Sequence, residues 1–100
     1  MLEGARFVAE ARTAPRYELL DLGAFPAMAD GGKTAVAGEV YAVPPDLLPV
    51  LDRYEDCPHL YRRVAIDLAD GSKALAYLVR RERLAPRFAP IPGGDWLARG

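Results

Sequence analysis

The sequence has very little of the chemistry that builds metal centres and covalent cross-links. It contains one cysteine, Cys57, and one histidine, His59, among its 100 residues. A lone cysteine excludes a disulfide within the chain, and one Cys with one His excludes the ligand clusters of structural zinc sites. Their separation by a single residue in a loop is no evidence for a Cys–His nucleophile pair. We therefore expect no metal site.

Charge of one sign and long apolar runs are lacking as well. Lys and Arg total 13 against 14 Asp and Glu, a formal net charge of −1. A chain this close to neutral has no basic surface for nucleic acid or an anionic membrane. Its apolar runs are far shorter than the about 20 residues of a membrane span, and residues 1–12 do not form a signal peptide. The sequence predicts a soluble, cytoplasmic protein that binds neither nucleic acid nor membranes.

The residues that are present predict one small β-rich domain over residues 1–100. Alternating apolar residues and turn signals predict strands at 5–12, 17–21, 35–43, 61–68 and 74–79, a loop at 22–26, and turns at 30–33 and 70–71. Trp96, the single tryptophan, is expected to dock the C-terminus onto this body. The predicted fold class is α+β: a small curved or barrel-like, mostly antiparallel β-sheet with one short helix, a closure that limits exposed edges.

The predicted helix follows Pro44-Pro45, with Asp46 as its N-cap and apolar residues at helical spacing (Leu47, Val50, Leu51 and Tyr54). At 100° per residue from Leu47, Glu55 falls at about 80°, between Leu51 and Leu48. If the helix reaches residue 55, this carboxylate points towards the core or a pocket. Burial, the negative helix end and nearby acids would then raise its pKa, as a general base requires, whereas the charges of Arg53, Arg62 and Arg63 would lower it. The alternative is a frayed helix end with Glu55 in solvent.

Several segments taken together point to a known family. They lie at residues 2–8, 17–27, 38–41, 51–55, 61–64, 76–78 and 94–97. In their order and spacing they resemble the gamma-glutamylcyclotransferase-like family. The resemblance implies a small β-barrel whose pocket holds a small-molecule gamma-glutamyl substrate, without metal or organic cofactor. It also implies that Glu55 takes the proton of the substrate α-amino group, which then attacks the γ-carbonyl to give 5-oxoproline and release an amine.

The resemblance assigns further residues to the site. Tyr61 matches a tyrosine that contacts the catalytic carboxylate or the substrate; its alternative role is core packing. Gly23, Phe25 and Pro26 match a loop that lines the pocket, with a plain turn as the alternative.

One expected piece is absent from the sequence: the strand and Y-G-[ST]-L loop with which family members open. The chain is therefore expected to be either truncated or naturally short, with an unpaired sheet edge. We expect a homodimer or a shifted N-terminal segment to cover that edge, or else a fold that is only marginally stable. A non-catalytic small-molecule-binding or interaction domain is the alternative to the enzyme.

Overall fold

The computed structural model describes residues 4–84 and 88–98, so Leu2 and Glu3 of the first matching segment lie outside the described residues. Four strands precede one α-helix and two strands follow it, in the order β1 (Arg6–Arg12), β2 (Tyr17–Asp21), β3 (Pro26–Asp30), β4 (Ala37–Ala42), α1 (Leu48–Tyr54), β5 (Tyr61–Asp67) and β6 (Lys73–Val79). Single 3₁₀ turns cover Pro45–Leu47, Arg81–Arg83 and Trp96–Ala98. None of the helices described is long and apolar enough to span a bilayer.

The strands pair in three antiparallel, two-stranded sheets: β1 with β4, β2 with β3, and β5 with β6. The prediction of a mostly antiparallel fold with one short helix is confirmed. Barrel-like closure is not confirmed, because among the described residues the three sheets are open. Isolated bridges between Thr13 and Leu68, and between Leu20 and Pro90, tie the sheets and the C-terminal segment together.

Strand β3 is absent from the sequence-based prediction, which assigns its first residue to a loop and its last to a turn. Its sequence, Pro-Ala-Met-Ala-Asp, consists mainly of residues that are depleted in strands. Tertiary packing overrides that weak propensity. Ala27 and Ala29 are buried, Ala29 completely, and β3 lies alongside β6.

Two apolar clusters form the core, and neighbouring residues of one strand contribute to different clusters. Leu19 and Leu78 lie in the first with Tyr17, Val36, Ile66 and Ile91; Leu20 and Val79 lie in the second with Ala27 and Ala29. Successive side chains of a strand point to opposite faces, so β2 and β6 separate the two clusters. Trp96 packs against the first cluster, as predicted.

The helix begins later than predicted, and the assignment of Asp46 as its N-cap is wrong. Asp46 lies inside the preceding 3₁₀ turn; Leu47 caps α1, and no side chain caps either helix. Pro49 occupies the second helical position, where a missing N–H is tolerated. Leu51 is the buried residue of α1. A seven-residue helix without a side-chain cap needs packing partners to form, because isolated helices of this length are unstable.

Candidate active site

Glu55 is the residue that ends α1. The helix stops at Tyr54 and Glu55 is its C-cap, with its N–H donating to the Leu51 carbonyl over 2.9 Å. Asp56 follows in the left-handed conformation, with φ at 55°. The Asp56 N–H donates to the Arg53 carbonyl (3.2 Å) and the Cys57 N–H to the Asp52 carbonyl (2.8 Å). These two bonds form a Schellman motif, which fixes the backbone on both sides of Glu55.

The Glu55 side chain is half-buried, and burial raises the pKa of its carboxyl. Of the three causes expected from the sequence, burial is the one that the structure supports. Among residues 4–84 and 88–98, no side chain donates a hydrogen bond to this carboxylate or forms an ion pair with it. Both oxygens are therefore available to an incoming proton donor.

Tyr61, the first residue of β5, lies close to Glu55. Burial raises the pKa of the Tyr61 phenol, and the negative charge of Glu55 raises it further. The phenol therefore stays protonated, and able to donate, through neutral pH. The Tyr61 ring also packs against the second apolar cluster, as do Leu22 and Leu60. The packing alternative is thus seen in the structure, whereas a contact of the phenol with the catalytic carboxylate or with substrate stays a prediction.

Gly23, Phe25 and Pro26 lie apart from Glu55, at the turn of the β2–β3 hairpin. Gly23 adopts a φ of 95° and donates its N–H to the Asp21 carboxylate over 2.8 Å. Pro26 pairs with Asp21, and the Phe25 side chain is exposed. Within the described part of the chain, no hydrogen bond or ion pair joins this loop to Glu55. The loop approaches Tyr61 through Leu22, which packs against the same apolar cluster.

A polar cluster one turn before Glu55 escaped sequence analysis. The Asp52 carboxylate accepts a 2.8 Å hydrogen bond from the Tyr77 hydroxyl and forms a 3.1 Å ion pair with Arg63. Burial and the Asp52 hydrogen bond raise the pKa of Tyr77. This cluster cannot be predicted from local sequence patterns, because it depends on the β5–β6 register, in which Arg63 lies directly opposite Tyr77.

The Cys57 thiol lies beside both acids of this region. Burial raises its pKa, and the charges of Asp52 and then Glu55 raise it further, against the opposing effect of Arg63. A raised pKa makes a thiol a poor nucleophile at neutral pH. Cys57 is therefore a spectator whose titration reports the charges around it.

A cleft of about 580 Å³ opens between the β1–β4 sheet and β6. Arg63 and Tyr77 line it, together with a mainly apolar wall that includes Val36, Val40, Leu51, Ile66, Leu68 and Ala76. A second cavity, of about 480 Å³, lies between Arg12, Asp21 and the C-terminal segment. Glu55 lines neither of these two cavities.

The fold and this site can be compared with known proteins. The chain is 36% identical over 98 residues to a Vibrio cholerae protein named provisionally as a gamma-glutamylcyclotransferase, covering 98% of this chain and 82% of that one. It is 34% identical over 83 residues to gamma-glutamylaminecyclotransferase A of Danio rerio, covering 73% of this chain and 52% of that one. The crystal structure of a protein specific to uropathogenic Escherichia coli superposes with a TM-score of 0.78 at 30% identity, over 93% of this chain and 74% of that one.

The sequence profile of the family described as gamma-glutamyl cyclotransferase, AIG2-like, matches residues 1–98. Nearly the whole chain takes part in that match, including α1, Glu55 and the β5–β6 hairpin. The chain belongs to the gamma-glutamyl cyclotransferase, AIG2-like family.

Proposed function

We propose that the chain is a cyclotransferase that converts a small gamma-glutamyl amine or peptide into 5-oxoproline and the free amine, with Glu55 as its catalytic residue. The observation that carries this proposal is the half-buried Glu55 carboxylate, held at a fixed helix end with no described partner on its oxygens. Family membership supports the reaction class. The name of the Danio rerio relative supports an amine as leaving group.

The proposed reaction begins with proton transfer. The substrate α-ammonium loses a proton to the Glu55 carboxylate, because an ammonium has no lone pair with which to attack. The free amine then adds to the γ-carbonyl carbon, and a tetrahedral intermediate forms with a new C–N bond. That intermediate collapses by breaking the original γ-amide C–N bond, while Glu55 returns its proton to the departing nitrogen. The ring nitrogen passes its remaining extra proton to the released amine, so the products are 5-oxoproline, as its carboxylate, and an ammonium, and Glu55 ends in its starting state.

Tyr61 supplies the second proposed contact. Its phenol stays protonated at neutral pH and lies beside Glu55. Among the described residues it donates no hydrogen bond to the carboxylate, so its proposed partner is the bound substrate. Gly23, Phe25 and Pro26 are the proposed wall of the substrate site on the β2–β3 side, an assignment that rests on the family resemblance. Leu22 supports it, because Leu22 and Tyr61 both pack against the second apolar cluster.

The direct test is release of 5-oxoproline from a γ-glutamyl amine and from a γ-glutamyl dipeptide. Glu55→Gln removes the base and keeps the shape, and we expect it to lower kcat by about 10²–10⁴-fold. Glu10→Gln, on an exposed position of β1, is the matched control and should leave the rate unchanged. An active Glu55→Gln variant would contradict the assignment.

One observation favours a second candidate function, a non-catalytic binding domain. The 580 Å³ cleft is walled mainly by apolar side chains and does not include Glu55. This candidate predicts no 5-oxoproline from the wild-type chain and saturable binding of an apolar ligand, whose affinity Glu55→Gln leaves unchanged.

We also propose that the chain is cytoplasmic and that two copies associate through an open sheet edge. The two-stranded sheets support association, because a strand with a sheet neighbour on only one side can pair with a strand of another chain on the other. Light scattering coupled to size-exclusion chromatography should give twice the 10.9 kDa chain mass. A monomer at all concentrations would contradict the dimer.

A further inference from the structure

We propose that Asp52 is a positioning residue: anchored by Tyr77 and Arg63, it holds the last turn of α1 against the β5–β6 hairpin and so fixes the Glu55 carboxylate. This inference rests on the proposed role of Glu55 and adds residues that act through it.

The first step is the geometry of the anchor. Each oxygen of the Asp52 carboxylate has its own partner: Oδ1 accepts from the Tyr77 hydroxyl at 2.8 Å, and Oδ2 lies 3.1 Å from Nη1 of Arg63. Arg63 and Tyr77 are directly opposite residues of β5 and β6. Their side chains therefore leave the hairpin from the same face and converge on one carboxylate.

Asp52 also holds the turn after α1 in place through a backbone hydrogen bond. Its carbonyl accepts the 2.8 Å hydrogen bond from the Cys57 N–H that closes the Schellman motif around Glu55. The same residue is thus bonded to the sheet through its side chain and to the turn through its main chain. Movement of Asp52 away from the hairpin would move Glu55 with it.

The third step is that α1 has little else to hold it in place. It is seven residues long, has no side-chain cap, and buries Leu51 alone. A helix of this length takes its stability from tertiary contacts. The Asp52 carboxylate is about 30% exposed and the Arg63 side chain 32%, so the ion pair is partly shielded from water and geometrically defined by two partners.

Activity measurements give the first readout. Asp52→Ala removes both anchors, and we expect kcat to fall by about 10-fold or more with KM within about twofold, because a base displaced by about 1 Å loses much of its effect. Asp52→Asn keeps the acceptor for Tyr77 and should recover part of kcat. Asp46→Asn, an exposed acid of the preceding 3₁₀ turn, is the matched control. Equal loss in Asp52→Asn and Asp52→Ala, or a change in KM alone, would overturn the proposal.

The second readout needs no turnover, because the single cysteine reports the position of Glu55. The rate of Cys57 alkylation by iodoacetamide, measured against pH, gives the thiol pKa. Glu55→Gln should lower that pKa in the wild-type background, since the Glu55 charge helps to raise it. In Tyr77→Phe, which keeps every charge, the same substitution should lower it by less, because the Arg63 backbone in β5 still holds the Cys57 sulfur while the loosened helix end carries the Glu55 side chain away.

The double-variant comparison decides between the outcomes. A Glu55→Gln effect on the thiol that is smaller in Tyr77→Phe and unchanged in Asp46→Asn supports the anchor. An effect of the same size in all three backgrounds overturns it. If the wild-type chain releases no 5-oxoproline, the proposed function fails on its own, while the thiol measurement still decides whether Asp52 fixes Glu55.

Discussion

The Tyr61 phenol and the Glu55 carboxylate lie close enough for the acid to raise the pKa of the phenol, although one begins a strand and the other ends a helix. The turn that separates them is fixed at both ends. Its first part is the Schellman motif after Glu55. Its last part is bonded to Arg80, the residue that follows β6: the Arg80 N–H donates to the Leu60 carbonyl over 2.8 Å. Proximity of the two side chains is thus a consequence of backbone hydrogen bonds.

Tyr61→Phe separates the two roles of this residue. The ring stays in the second apolar cluster, so the free energy of unfolding should change by less than about 1 kcal/mol. The lost hydroxyl removes the proposed hydrogen bond to the bound substrate, which corresponds to a fall of about 10-fold in kcat. Steady-state kinetics with urea unfolding measures both effects. Unchanged kcat with lowered stability would show that Tyr61 serves packing alone.

The pH dependence of kcat/KM should follow the titration of Glu55. Because burial raises the pKa of this carboxyl, the rate should rise with pH through a value above the ordinary Glu pKa of about 4.3. Below that pH the protonated acid cannot accept a proton. Rates measured from pH 4 to 8 check the acid limb. A limb at or below the ordinary Glu value would contradict a half-buried base.

Glu55 should also cost the protein stability at neutral pH. Its pKa is higher in the folded chain than in the unfolded chain, so the folded state favours the protonated form. Stability therefore falls as pH rises through the raised pKa. Glu55→Gln should raise Tm at pH 7 and lose this advantage at about pH 3, below the ordinary Glu pKa, where the acid is protonated in both states. Thermal unfolding at the two pH values gives the comparison, and a lower Tm at pH 7 would contradict it.

The first apolar cluster should control the stability of the whole fold. Leu78 is 2% exposed within it, so Leu78→Ala should destabilise the protein by about 2–5 kcal/mol. Leu97→Ala is the matched control, because that leucine is 92% exposed and its loss should cost less than about 0.5 kcal/mol. Equal midpoints of urea unfolding for the two variants would show that the cluster is not the core.

The parts of this structure that depend on local sequence patterns can be predicted from the sequence. The β5–β6 hairpin follows from strand alternation and the Asp70-Gly71 turn, where Gly71 adopts a φ of 89°. Helical periodicity places Glu55 on the apolar side of α1 if the helix reaches residue 55; the helix ends at Tyr54, and Glu55 is half-buried as its C-cap. Both signals lie within a few residues of one another along the chain, so no tertiary information is needed to find them.

The rest depends on contacts between distant segments. Strand β3 forms because Ala29 is buried beside β6, not because its residues favour strands. The Asp52 anchor exists because β5 and β6 bring Arg63 opposite Tyr77, a register that no single segment encodes. The Tyr77 hydroxyl then bonds Asp52, a residue 25 positions earlier in the chain.

The most direct test of the central claim is the 5-oxoproline assay with wild type, Glu55→Gln and Glu10→Gln side by side on one γ-glutamyl amine. We expect turnover by the wild type and by Glu10→Gln, and a kcat that is lower by about 10²-fold or more in Glu55→Gln. Folded Glu55→Gln protein that turns over the substrate at the wild-type rate would contradict it.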